Sequence, residues 1–329
     1  MRILFVGGTG IISSASARRL AREAGVKLSF LLRGKTNRPV PDGVEVLTGD
    51  VREPVSLAAA LGKRDFDVVV NWVAFTTAHV QADIDFFAGR TGQYVFISSA
   101  SAYQTPPERL PVTESTPLKN PVWAYSRDKI ACEELLVRAY RERNFPATIV
   151  RPSHTYDCRS LPVHGGYTVI DRMRRGKPVV VHGDGSSLWV LTHHDDFAKG
   201  FNGLLGNPHV LGEAFHVTSD ELLTWNQIHA LLGAAAGAAP KLCHVPSTTI
   251  AKHDPAWGDS LLGDKTHSMI FDNTKLKRAV PGFVATIPYA QGAREQLAWY
   301  DADPTRREVD AATDALMDRL VELQMRTFG

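Results

Sequence analysis

Long apolar runs are missing from these 329 residues: none approaches the roughly 20 consecutive apolar positions that a membrane span requires. The run Ile3–Val6 behind Met1 and Arg2 is too short for a signal-peptide core, and Arg18 and Arg19 follow soon after, so a cytoplasmic protein is expected. Cysteine is scarce. Cys132, Cys158 and Cys243 are odd in number and scattered, which gives neither a zinc spacing nor a disulfide framework and leaves reduced packing thiols. Charge of one sign is nearly balanced by the other. A formal net charge of +2 demands no anionic polymer as partner, and no basic stripe of the kind nucleic-acid binders carry is visible. Repeats and low-complexity linkers are absent. What remains is ordinary globular composition, 44% apolar and 22% charged, enough for one large α/β domain and a smaller appendage.

The first half alternates strand-like and helix-like segments. Strands are expected at Ile3–Val6, Lys27–Leu32, Val44–Thr48, Asp67–Asn71, Gln93–Ser98 and Ala147–Val150. Helices are expected at Ser14–Glu23, Pro54–Leu61, Thr77–Ala88 and Ala124–Arg143. The alternation implies a Rossmann-type, doubly wound parallel sheet. After Arg151-Pro152 turn residues become dense, as in Gly165-Gly166 and Gly183-Asp184-Gly185, and the βαβ order is lost. A smaller C-terminal α/β substrate domain is read there, from 156–189 and 218–329. Residues 1–155 form the dinucleotide-binding domain, to which 190–217 return. A docking helix over Arg306–Met325 would bury Val309, Leu316, Leu320 and Leu323.

Strand Ile3–Val6 runs into Gly7-Gly8-Thr9-Gly10-Ile11-Ile12-Ser13, and a helix follows. Glycines let the backbone approach a pyrophosphate, and the helix N-terminus offers free N–H groups and partial positive charge. The third position is Ser13, still small enough for helix–sheet packing. No carboxylate stands at the end of the second strand to hold the ribose hydroxyl of NAD. Leu32 is followed by Arg33, Gly34 and Lys35, with Arg38 close behind, and a cation there suits the extra phosphate of NADP. NADP is therefore the expected cofactor and NAD the alternative.

Tyr125 and Lys129 stand four apart and share one helix face. A nearby ammonium favours the phenolate, so Tyr125 is expected to have a lowered pKa and to exchange a proton with a substrate oxygen. Ser98-Ser99 close the preceding strand at the carboxyl edge, where open α/β sheets bind ligands.

Together the glycine turn, Ser99, Tyr125 and Lys129 resemble the extended short-chain dehydrogenases/reductases, the family of NAD(P)-dependent sugar epimerases and dehydratases, over nearly the whole chain. The resemblance implies Ser99 rather than Ser98 as the catalytic hydroxyl, beside Tyr125 and Lys129. It gives Gly49-Asp50-Val51 an adenine contact and places Asn71-Trp72-Val73 along the nicotinamide ribose. Arg151-Pro152 resembles the turn that passes the nicotinamide, so Pro152 joins Gly7, Gly8, Thr9, Gly10, Ile11, Ile12, Arg33, Asp50, Val51, Asn71, Trp72, Val73, Tyr125 and Lys129 as cofactor-binding. Gly183-Asp184-Gly185 through Asp195-Asp196-Phe197-Ala198 matches a family segment in spacing. The diphosphate-gripping arginine expected within that segment is Trp189 here, and a familiar asparagine is His154. Substrate is expected to meet Ser99, Ser101, His154 and Trp189, with Arg159, Lys177 or Lys265 as the candidates for a replacement cation. The Arg33-Gly34 pair is also similar to a subgroup that includes chloroplast stem-loop-binding proteins.

Chemistry so implied is hydride transfer at a secondary alcohol or ketone of a sugar-like small molecule. Epimerisation, net reduction by NADPH of a non-nucleotide substrate, and a non-catalytic nucleic-acid-binding or regulatory role remain as alternatives. No metal is expected. In His193-His194-Asp195-Asp196, adjacent side chains of an extended segment point to opposite faces, and Asp196 reads as the cap of a helix starting near Phe197. Trp72, Phe75, Phe86 and Phe87 read as core. A homodimer is expected through the helices at 77–88 and 124–143, because Ile130, Leu135, Leu136, Val137 and Tyr140 exceed one apolar stripe, with Leu136 placed outward.

Overall fold

Alternation within the first strand decides the layering. In β1 (Arg2–Val6), Ile3 and Phe5 face one way and Leu4 and Val6 the other, and all four are buried. A strand buried on both faces needs cover on both faces. The computed structural model, which describes residues 1–35 and 38–328, supplies it. Ile3 and Phe5 join Val68, Val70, Phe197 and Phe201 in one apolar layer, covered by α1 (Ile11–Leu20) and the helix His194–Asn202. Leu4 and Val6 join Val69, Phe96, Ile84 and Leu136 in the other, under α2 (Pro54–Leu61), α3 (Thr77–Phe87) and α4 (Ala124–Arg143).

The remaining strands are β2 (Lys27–Leu32), β3 (Glu45–Thr48), β4 (Phe66–Asn71), β5 (Thr91–Ile97) and β6 (Ala147–Pro152). With the segment Ala214–Val217 they form a seven-stranded sheet in the order 214–217, β6, β5, β4, β1, β2, β3. Every pairing is parallel. The expected doubly wound fold is present. Its order reverses at β1, so the glycine turn after β1 opens at the topological switch point, where such sheets bind ligands.

A further apolar cluster, drawn mostly from residues after 152, centres on Tyr156, Trp189, Trp225, Leu261 and Tyr289. The C-terminal helix Ala311–Phe328 docks on it through Leu316, Met317, Leu320 and Val321. Val309 and Leu323, expected in that stripe, are exposed instead: Val309 precedes the helix and Leu323 lies off its buried face. Fully buried Arg172 clamps the same helix by ion pairs to Asp314 and Asp318. Among the described residues, no helix is long and apolar enough to cross a membrane.

Leu136 does not face outward. It is completely buried against the sheet, and α4 instead exposes Arg127, Glu134 and Arg138. The apolar excess that pointed to a second buried face is partly absorbed by Leu135 and Val137, which pack on the same layer.

Candidate functional site

Beyond β1 the chain needs glycine for two reasons. Gly7 and Gly8 have φ of 90° and 126°, and a Cβ on Gly8 would lie 2.8 Å from the Phe30 ring. Ser13, at the third glycine position, accepts a hydrogen bond from the Gly10 amide at 2.8 Å. Next to this turn lies a cavity of about 470 Å³, lined by Gly7, Thr9, Arg33, Asp50, Arg52 and Val73 among others. Its rim carries Arg33, Lys35 and Arg52, and Arg38 donates to the Thr9 carbonyl at 2.9 Å. A glycine cradle with a cationic rim fits the phosphates of a dinucleotide. Asp50 turns the chain here by accepting from the Arg52 amide at 2.9 Å. Arg52 itself, which donates to the Val73 carbonyl, was missed in the sequence; its place two residues beyond Asp50 was the signal.

Two expected cofactor contacts are directed elsewhere. Asn71 is fully buried. Its Oδ1 accepts from the Val73 amide and its Nδ2 donates to Asp83, so its side chain supports the strand end from below. Trp72 packs into the core, with its ring 5.2 Å from Phe5 and 4.9 Å from Phe201. Phe75, read as core, is instead exposed on the cavity wall.

β5 is followed directly by Ser98 and Ser99. The Ser98 hydroxyl donates to the buried Glu133 carboxylate. Ser99 begins a short 3₁₀ turn, Ala100–Ala102, with its Oγ 2.9 Å from Ser101 Oγ, which also accepts from Ser126 at 2.8 Å. Ser99, Ser101, Tyr125, Pro152, His154 and Trp189 all line a second cavity, of about 250 Å³. The expected substrate residues are thus brought together, and Pro152 lies with them rather than with the glycine turn.

Tyr125 departs from expectation in its electrostatics. Burial raises its pKa above the ordinary value, the Ser99 hydrogen bond opposes this, and the Asp264 carboxylate adds to it. Lys129 does not lower it, because its ammonium donates at 2.8 Å to both the Ala74 and Ile97 carbonyls and stands 5.8 Å from the phenol ring centre. Burial in turn brings Lys129 down to about 8. Lys129 lies between the two cavities, with Phe75 of the first 4.7 Å away and Tyr125 of the second on its own helix.

Of the three candidate cations only Lys265 reaches the second cavity. Lys177 pairs with Asp314 and Asp318, and Arg159 lies against Trp299. Lys265 follows Asp264 on a π-helical turn, Leu261–Lys265, an irregularity that often marks functional sites. The pair is 3.5 Å apart, and burial raises the Asp264 carboxyl. Asp264 was missed in the sequence, where no periodicity marks a single turn.

His193 and His194 do not diverge. The strand ends at His193 and a helix starts at His194, which brings the rings to 4.6 Å and their ligand atoms near Asp195. His193, not Asp196, caps that helix, accepting from the Asp195 amide with Nδ1 while Nε2 meets Glu295 at 3.0 Å. With both nitrogens engaged, His193 has no lone pair to offer a cation. Asp196 accepts instead from the Thr286 and Ile287 amides.

The model of the NAD dependent epimerase/dehydratase family matches residues 87–217. The 2'-dehydrokanamycin reductase of Streptomyces kanamyceticus is 26% identical over 289 residues, 86% of this chain and 80% of that protein. The chloroplast stem-loop binding protein of 41 kDa b of Arabidopsis thaliana is 24% identical over 74% of this chain and 65% of its own length. The UDP-glucuronic acid 4-epimerase of Bacillus cereus, solved with NAD, superposes with a TM-score of 0.72 at 18% identity, covering 93% of this chain and all of that one. A Rossmann-type sheet with a cavity at its glycine turn, together with these matches, makes the chain similar to nicotinamide-dependent oxidoreductases. They agree with the resemblance read from the sequence: the chain is similar to the NAD(P)-dependent epimerases and dehydratases of the extended short-chain dehydrogenase/reductase type.

Proposed function

We propose that the protein oxidises or reduces a secondary alcohol or ketone on a sugar-like small molecule, with Tyr125 as the acid/base and NADP as the preferred cofactor. The observation that carries this reading is the convergence of Ser99, Tyr125 and His154 on one cavity, with Lys129 between it and the glycine-turn cavity. Bound at the glycine turn, the nicotinamide supplies hydride acceptance or donation. Gly7, Gly8 and Thr9 would hold the pyrophosphate, and Arg33, Lys35 and Arg52 the adenosine end. The Ser99 hydroxyl orients the substrate oxygen. Tyr125 gives that oxygen a proton as a carbonyl is reduced, or takes one as an alcohol is oxidised. Lys129, held in this state by the Ala74 and Ile97 carbonyls, would meet the cofactor's ribose, and its charge, brought toward the phenol, would lower the energy of the phenolate.

Net reduction is the second reading, favoured by Arg33, which suits an exchangeable NADPH, and by the absence of an arginine at Trp189. A nucleic-acid role is weaker, because Ser99, Tyr125 and Lys129 are all retained. The assembly we propose is a homodimer through α3 and α4. Absorbance and mass spectrometry of the purified protein, followed by turnover on a panel of keto-sugars with NADPH and NADH, test the reading. A protein that binds no nicotinamide would overturn it.

A further inference from the structure

Behind the Tyr125 cavity lies another, of about 200 Å³, and the two share His154 and Lys265 as wall. Its other walls include Trp225, Trp257, His164, His182 and His229. The His164 ring stacks on Trp257 at 4.0 Å, closing one side with flat faces.

Hydrogen bonding fixes the tautomer of three of these histidines. His154 Nδ1 lies 3.0 Å from Trp189 Nε1, an indole N–H that can only donate, so the His154 hydrogen is on Nε2. His229 Nδ1 lies 2.8 Å from the Trp225 carbonyl, which can only accept, so Nε2 carries a lone pair. His182 Nε2 lies 3.0 Å from the Lys265 carbonyl, so Nδ1 carries one too. Burial keeps all three rings neutral, with His154 pushed down to about 3 and His182 and His229 to about 4. Trp225 Nε1 is a buried donor with no partner.

Charge decides the class of ligand. Lys265 is the one cation lining either cavity among the described residues, and Asp264 lies 3.5 Å from it. A diphosphate needs excess positive charge in bidentate or multiple contacts. Neutral imidazoles and a compensated lysine offer none. The volume is also below the roughly 300 Å³ at which pockets for drug-sized ligands begin, so it suits one ring rather than a nucleoside diphosphate.

We infer that this cavity holds an uncharged, hydroxyl-bearing ring, the second ring of a glycoside whose first ring presents its alcohol or ketone to Tyr125. Its hydroxyls donate to His182 Nδ1 and His229 Nε2 and accept from His154 Nε2. Its apolar face lies on the tryptophans. The inference rests on the oxidoreductase reading for the first ring alone.

The test is calorimetric titration of the Tyr125→Phe protein loaded with NADP⁺, using methyl β-glucoside, cellobiose, maltose, trehalose and UDP-glucose. At least one disaccharide should bind about tenfold more tightly than methyl β-glucoside, the worth of one or two net hydrogen bonds. UDP-glucose should bind no more tightly than methyl β-glucoside. The variants Trp225→Leu and His182→Leu should each lose the disaccharide advantage, and His182→Leu, at the wall, keeps the test valid if Trp225→Leu fails to fold. UDP-glucose binding more tightly than every disaccharide, no disaccharide advantage, or an advantage that survives His182→Leu would each overturn the assignment. Turnover is not needed for this measurement, so its failure leaves hydride transfer standing. Hydride transfer fails separately, if the wild type binds no nicotinamide.

Discussion

Arg151, at the end of β6, grips Glu133 of α4 with Nε and Nη2 on the two carboxylate oxygens, at 3.0 and 2.5 Å, and both side chains are almost wholly buried. The same carboxylate accepts from Ser98, and the guanidinium lies 4.7 Å over the Tyr103 ring. One ion pair thus locks the helix of Tyr125 to the strand ends on which Ser99 and Pro152 sit. Breaking a buried pair from one side leaves a desolvated charge alone. Glu133→Gln should therefore lose about 3 to 5 kcal/mol of stability, measured by urea denaturation. A loss below about 1 kcal/mol, the worth of a surface pair, would show that the pair contributes little.

Tyr125→Phe should keep the fold and cofactor affinity while turnover falls at least about 10²-fold, the scale of general acid–base catalysis. Because burial and Asp264 raise the phenol, alcohol oxidation by the wild type should increase with pH through the alkaline range. Steady-state rates across pH check this. Near-wild-type turnover in the variant removes the mechanism.

Arg33→Ala should weaken NADPH far more than NADH, since Arg33 lines the cofactor cavity directly after β2, at a place where the sequence has no carboxylate. Titration calorimetry with both cofactors decides. Equal losses, or a wild type that prefers NADH, would contradict the assignment.

Asp83 lies buried below the sheet edge, accepting from Tyr94 at 2.6 Å and from Asn71 at 2.5 Å, and burial raises it to about 6. A carboxyl whose folded pKa is raised binds its proton more tightly in the native state. Its favourable contribution is complete below the unfolded value, near 3.9, and is lost as pH rises through about 6. Asp83→Asn keeps an acceptor for both donors and removes the titration. The variant should gain on the wild type between pH 4.5 and 7 by about 2 kcal/mol. Urea melts at several pH values give the slope, and parallel curves would contradict it.

α3 exposes Ala78 and Ala82 beside the charged rim of α4, small residues that allow close approach of a second copy. Ala82→Arg, placed on this surface rather than in the core position Leu136, should convert dimers to monomers without loss of folding. Light scattering after size exclusion reads the mass, and a wild type of one-chain mass at micromolar concentration refutes the dimer.

Regular elements were legible where two signals coincided. α2 runs from Pro54, a favoured first helical residue, to Leu61 before Gly62, and α4 from Ala124 to Arg143, and both match the expected bounds. α1 begins three residues earlier than read, because Gly10 rather than a polar residue precedes it. The glycine turn, Arg33, Ser99 and Tyr125 could be placed because strand ends project onto one edge of a parallel sheet. Side-chain direction was not legible. Trp72 and Leu136 turn inward, and Lys129 is held by carbonyls from Ala74 and Ile97, contacts between segments that no local pattern encodes. The imidazole cavity was hidden for the same reason: its walls come from positions 154 to 265, and only folding brings them together.

Gly263 bears on how this chain could be recombined. A Cβ there would lie 2.7 Å from that of Trp123, and its carbonyl accepts from Asn120 Nδ2 at 2.7 Å, while the same amide group donates to the Ser101 carbonyl at 3.1 Å. The π turn with Asp264 and Lys265 is therefore seated directly on the approach to α4. A chimera that borrows residues after 220 from a relative to change what is recognised cannot treat them as a cassette. Unless Asn120 and Gly263 travel as a matched pair, the new recognition surface would be set at the wrong height above Tyr125.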